Sequence, residues 1–94
     1  MDDVFESLVN LFIETRRAHH QAFADSDGFD PEWPLWYADY LKVRLATLLE
    51  ANFTKSELIY LLVAVDREQA AESPGVNWSK YYARFFIDRY MPGE

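Results

Sequence analysis

The sequence predicts an all-α fold, a compact four-helix bundle with neighbouring helices antiparallel. Three observations carry that prediction. Apolar residues recur at spacings of three and four in successive stretches, short breaks rich in cap and turn residues separate them, and no stretch has the length of a long coiled coil. The chain has 94 residues, room for one core, so residues 1–94 are read as a single helical domain. Hydrophobic residues make up 50% of it and aromatics 17%, far above what a disordered segment carries.

The first helix is expected from Asp3 to Phe23. Val4, Phe5, Leu8, Leu11, Phe12, Thr15, His19, Ala22 and Phe23 form its apolar row, with Glu6, Asn10, Glu14, Arg17 and Gln21 opposite. Asp25 to Asp30 should end it, because short polar side chains compete for backbone hydrogen bonds and Gly28 accepts a left-handed conformation. Asp30 then reads as an N-cap, Pro31 as the first helical residue, and Pro34 as tolerated in the first turn.

The second helix, Pro31 to Ala51, carries two apolar stripes: Trp33, Trp36, Tyr40 and Val43, and Tyr37, Leu41, Leu45 and Leu48. Only Asp39, Lys42, Ala46 and Glu50 are left for water, so this helix is expected to be central. Thr54-Lys55-Ser56-Glu57 reads as a capping box opening a third helix that runs to about Ala71. Within it Leu58 to Val65 has the composition of a buried strand, but the cap before it and the polar continuation after it favour helix. Glu72 to Val76 should break the chain. Asn77 can cap a fourth helix, whose face holds Trp78, Tyr81, Tyr82, Phe85, Phe86 and Arg89 and which ends near Tyr90. The apolar and aromatic side chains exceed what so small a core hides, and a second subunit is expected to cover some of them.

Nine Lys and Arg against sixteen Asp and Glu give a net charge of −7. That balance repels phosphate backbones and anionic lipid, so neither nucleic acid nor membrane is an expected partner. The longest apolar run has eight residues, Leu58 to Val65, whereas a membrane span needs about twenty. Cysteine is absent, which removes disulfides, thiolate nucleophiles and Cys-based zinc sites and fits a cytoplasmic setting. Met1-Asp2-Asp3 has no basic stretch of the kind that opens an export signal.

Chemistry-bearing residues are few. His19 and His20 are adjacent, so they cannot share a helix face as a metal pair at i and i+4 would. His19 falls in the apolar row, either as a buried imidazole with a satisfied hydrogen bond or as a ligand or proton-transfer group facing a cavity, one turn after Arg16. Asp25, Asp27, Asp30 and Glu32 form an acidic cluster, but Gly28 comes too early and Trp36 stands where an EF-hand needs its twelfth-position acid. A solvated, capping loop is the expectation there. Arg44 lies between the apolar stripes of the second helix and Asp66 at the margin of the third helix's stripe. A structural ion pair or network among Arg44, Asp66 and His19 is therefore expected. No P-loop, dinucleotide fingerprint, nucleophile elbow or HExxH motif is present. No metal or cofactor site is expected, and an enzyme has no positive support.

The segment Asp30-Pro31-Glu32-Trp33-Pro34-Leu35-Trp36-Tyr37-Ala38-Asp39-Tyr40-Leu41, preceded by Ala18-His19-His20 and Asp27-Gly28, resembles a pattern found in small bacterial helical proteins of unassigned function. The resemblance covers about a quarter of the chain. It implies a bacterial cytoplasmic setting and brings no catalytic residue.

The leading functional expectation is a protein–protein interaction module, acting as a homodimer or on another protein through an aromatic and acidic surface. The alternative is a small-molecule-binding or enzymatic bundle. Its pocket would lie between the first two helices near Arg16, His19, Trp33, Trp36 and Tyr40, with Arg16 holding an anion and the aromatics enclosing an apolar part.

Overall fold

The computed structural model of the chain describes residues 3–72 and 77–91. Among these residues there are four α-helices, one 3-10 turn and no strand. Helix α1 spans Val4–Ala22, the turn Ala24–Ser26, α2 Trp33–Leu49, α3 Lys55–Glu72 and α4 Trp78–Tyr90. The segment Leu58 to Val65 is helical. Of the expected break at Glu72 to Val76, Glu72 closes α3 and residues 73–76 lie outside the described residues.

The helix ends follow local chemistry. Asp3 caps α1 by accepting from the Glu6 N–H at 3.1 Å. The capping box forms in both directions: Glu57 N–H donates to Thr54 Oγ1 at 3.0 Å, and Thr54 N–H to Glu57 Oε1 at 2.7 Å. Asn77 Oδ1 accepts from the N–H groups of Ser79 and Lys80 at the head of α4. After α1 the chain reverses through Asp27 at φ 58° and Gly28 at φ 83°, and the Gly28 N–H closes the turn on the Phe23 carbonyl at 2.8 Å.

The start of α2 differs from the sequence reading. The helix begins at Trp33, not Pro31, and Glu32 at its cap position makes no side-chain cap bond. Asp30 is not the N-cap because its carboxylate is used twice elsewhere. Oδ1 accepts from the Glu32 N–H at 3.0 Å, and Oδ2 faces His19. Pro34 sits in the first turn, as expected.

Tyr37, Ala38, Leu41, Leu45 and Leu49 are the buried row of α2. The helix is turned slightly from the expected orientation, so that Leu49 takes the core position foreseen for Leu48. Val43, expected in a buried stripe, is 72% exposed. Lys42 and Ala46, expected in water, are half-buried. Arg44 is not a buried charge. It is exposed, with its guanidinium 4.1 Å from the Tyr40 ring centre and Nη1 donating to the Tyr40 carbonyl at 2.6 Å. The ion pair expected among Arg44, Asp66 and His19 does not form, because each group has found a different partner.

Each helix packs against two others: α1 against α2 and α4, α3 against α2 and α4. Phe12 lies at the centre, its ring 5.4 Å from Tyr82 and 5.7 Å from Phe86. Leu8, Leu41, Leu45, Leu58, Leu62 and Val65 close around it without solvent exposure. Burying each such side chain contributes about 1.5–3 kcal/mol before the entropy of ordering is subtracted. No described helix is long and apolar enough to cross a membrane.

Candidate functional site

The last turns of α1 and the first turns of α2 are joined through His19. Its Nε2–H donates to Asp30 Oδ2 at 3.0 Å, with both side chains about nine-tenths buried. Three rings enclose the imidazole: Phe23 at 4.8 Å, Trp36 at 5.1 Å and Tyr37 at 5.4 Å. Neighbouring His20 points away and is exposed, its ring resting against Gly28. His19 borders an open surface depression of about 670 Å³, shared with Arg16, Trp33 and the Asp27–Pro31 loop.

Of the five residues grouped from the sequence, the structure brings Arg16, His19 and Trp33 to this depression and sets Trp36 and Tyr40 beside it. Trp36 and Tyr40 stack on each other, 5.4 Å apart and 12° from parallel. The Tyr40 hydroxyl donates to Glu14, and that bond raises the phenol's pKa. These two rings form an outer seam between α1 and α2.

A smaller cleft of about 200 Å³ lies one step further around the molecule, and all four helices contribute to it. Arg16 comes from α1, Trp33 and Tyr37 from α2, Asp66 and Gln69 from α3, Trp78 and Tyr82 from α4. The Arg16 guanidinium sits 5.5 Å from the Trp78 ring centre, within cation–π range. Among the described residues no carboxylate is within ion-pairing distance of Arg16. Its edge donors stay free.

Two phenols line the floor. The Tyr82 hydroxyl donates to Asp66 Oδ1 at 3.2 Å, and burial, reinforced by the Asp66 charge, drives its pKa far above the ordinary value. Tyr37 is a buried residue whose hydroxyl makes no hydrogen bond to a described residue; since no buried side-chain oxygen or nitrogen among the described residues lacks a partner, that hydroxyl opens into the cleft. Burial raises its pKa, while the Arg16 charge pulls it down and the Asp66 charge pushes it up. A neutral donor is thus acted on by both a cation and an anion, which form no ion pair with each other.

The sequence pointed to Arg16 and Trp33 but missed that Tyr37, Asp66, Trp78 and Tyr82 join them. Each carried a signal. Asp66 was a charge at the edge of an apolar stripe, and Trp78 and Tyr82 shared a face of α4; only the packing of α4 beside α1 brings them together. The acidic loop has a structural use through Asp30, while Asp25, Asp27 and Glu32 are exposed. Among the described residues no group of three or more His, Asp or Glu side chains is placed to hold a metal ion. The chain matches no protein-family model, no curated protein and no solved structure.

Proposed function

We propose that this chain is a small-ligand-binding helical protein and that the Arg16 cleft is its binding site. The observation that carries the reading is the convergence, in a cleft to which all four helices contribute, of an unpaired guanidinium and a Tyr37 hydroxyl that opens into the cleft without a hydrogen-bond partner among the described residues. A hydroxyl that faces a cleft and gives its hydrogen bond to no protein group is available to a bound polar group. Indole and phenol walls with a few convergent polar groups are the common make-up of a ligand site. His19 belongs to the scaffold in this reading, since Asp30 and three rings already engage it. Catalysis is not part of the proposal.

The contact pattern supports antiparallel packing of α1 and α4: Phe5 meets Arg84, Phe12 meets Tyr82 and Phe86, and Arg16 meets Trp78. A second reading, a homodimer or a module docking on another protein, is favoured by Leu35 and Val43 on α2 and Tyr60 on α3, which are 45%, 72% and 70% exposed. The absence of cysteine and the resemblance of the Asp30–Leu41 segment support a bacterial cytoplasmic setting for either reading.

The test is a thermal-shift screen of small anions, cations, zwitterions and neutral aromatics against the wild type and Arg16→Ala. A ligand specific to the folded state raises Tm with concentration. The reading expects compounds that raise Tm in the wild type and lose the effect in Arg16→Ala. No active compound, or full retention of every effect in the variant, contradicts it.

A further inference from the structure

We propose that the ligand of the Arg16 cleft is a small zwitterion, one carrying a carboxylate and an ammonium group; the inference rests on the binding-site reading above and names its chemistry. The cleft is itself a dipole. Arg16 and Asp66 both act on the Tyr37 hydroxyl and both line the same walls, yet they form no ion pair. Opposite charges held apart around about 200 Å³ are best complemented by a ligand with the reverse separation.

Each half of such a ligand has a place. The carboxylate meets a guanidinium held 5.5 Å from the Trp78 ring centre, which has the N–H donors to hold both carboxylate oxygens. The Tyr37 hydroxyl supplies a further donor, and its raised pKa keeps its proton in place. On the other side, Asp66 gives one oxygen to Tyr82 and keeps the second without a hydrogen-bond partner among the described residues. That oxygen accepts from an ammonium, and the indole of Trp33, which carries no cation of the protein, attracts the same positive charge.

Net charge and size argue the same way. A chain at −7 repels a simple anion at long range, and Asp66 repels it again inside the cleft, whereas a zwitterion carries no net charge to repel. An apolar cavity of about 150 Å³ is filled by benzene. A cleft of about 200 Å³ therefore suits a molecule of amino-acid or betaine size.

Titration calorimetry of the full chain tests the inference with four probes: glycine betaine, L-alanine, acetate and tetramethylammonium. A zwitterion should bind about tenfold or more tighter than acetate or tetramethylammonium, as expected when two charge-assisted contacts replace one. Arg16→Gln should lower the zwitterion to the level of tetramethylammonium, and Asp66→Asn should lower it to the level of acetate. Both residues are exposed enough for the fold to persist, which far-ultraviolet circular dichroism checks; Tyr37→Phe, with no volume lost at the ring, gives a second route to weaker carboxylate binding. A preference for alanine assigns the ammonium to Asp66, and one for betaine assigns it to the Trp33 indole. An isolated half binding as tightly as the zwitterions overturns the inference, as does silence from both zwitterions while aromatic or anionic compounds still act through Arg16, which leaves the binding site standing. Silence from every compound in the thermal-shift screen removes the site itself.

Discussion

His19 Nε2 and Asp30 Oδ2 lie 3.0 Å apart with side-chain exposures of 8% and 10%, and this contact fastens the end of α1 to the loop that opens α2. Asp30 also accepts from the Glu32 N–H, so one carboxylate satisfies a buried imidazole and shapes the approach to Trp33. That approach fixes one wall of the Arg16 cleft.

Asp30→Ala should therefore lower stability by about 2–4 kcal/mol, since it leaves the imidazole buried without its partner. Asp30→Asn, which keeps an acceptor oxygen, should lose less. Urea denaturation at neutral pH measures both, and equal loss in the two variants would show that the contact needs the carboxylate itself, not an acceptor of the same shape.

Phe12→Ala and Trp36→Ala should separate core from seam. Phe12 is fully buried between Tyr82 and Phe86, and its truncation should cost about 3–5 kcal/mol. Trp36 is half-buried and stacks on Tyr40, so roughly 2 kcal/mol is expected from partial burial and one aromatic contact. Denaturation at two protein concentrations checks the order; a wild-type midpoint that rises with protein concentration and loses that rise in Trp36→Ala would place this seam in a dimer contact.

Stability should decline above pH 10. Burial raises the folded-state pKa of Tyr37 and of Tyr82 above the ordinary value of 10.0, and Tyr81 is pushed up to about 12 by the hydrogen bond that it donates to Glu68. The unfolded chain loses these protons near pH 10 while the folded chain keeps them. It then binds fewer protons than the folded state, and the stability present below pH 10 is lost as pH rises toward the folded values. A double variant with Tyr37→Phe and Tyr82→Phe should show a shallower decline between pH 10 and 11.5 in thermal melts; an unchanged slope would exclude these phenols as its source.

Gly28→Ala should cost about 1–2 kcal/mol, because φ 83° strains any residue with a Cβ. The new Cβ would also fall 2.6 Å from His20 Nδ1. His20 is exposed and can swing aside, so adding His20→Ala should recover only a small part of the loss. Full recovery would mean that contact, not backbone strain, set the cost.

Helix count, caps and most of the core were legible in the sequence because they are local. Thr54 and Glu57 are three residues apart, Asn77 precedes its helix directly, and the row Leu8, Leu11, Phe12, Thr15 lies on one helical face. The start of α2 was misread because Asp30 answers to His19, eleven residues away and across a turn. Val43 and Arg44 were misplaced for a related reason: a helix apolar on most sides can rotate by part of a residue, and the choice between Leu48 and Leu49 is made by α1 and α3. The cleft was least legible. Arg16 and Trp33 could be grouped by their nearness to His19, but Asp66, Trp78 and Tyr82 join them only when α3 and α4 pack alongside.

The most direct test of the Arg16 cleft is the indole N–H region of the proton–nitrogen spectrum, where the three tryptophans give separate signals assignable by single Trp→Phe substitutions. Trp33 and Trp78 line the cleft and Trp36 does not, so the molecule carries its own control. Titrated with the active compounds of the thermal-shift screen, the Trp33 and Trp78 signals should move together and saturate at one ratio while Trp36 stays nearly still. Movement of Trp36 alone, or of none of the three as binding proceeds, would contradict the assignment of this cleft as the binding site.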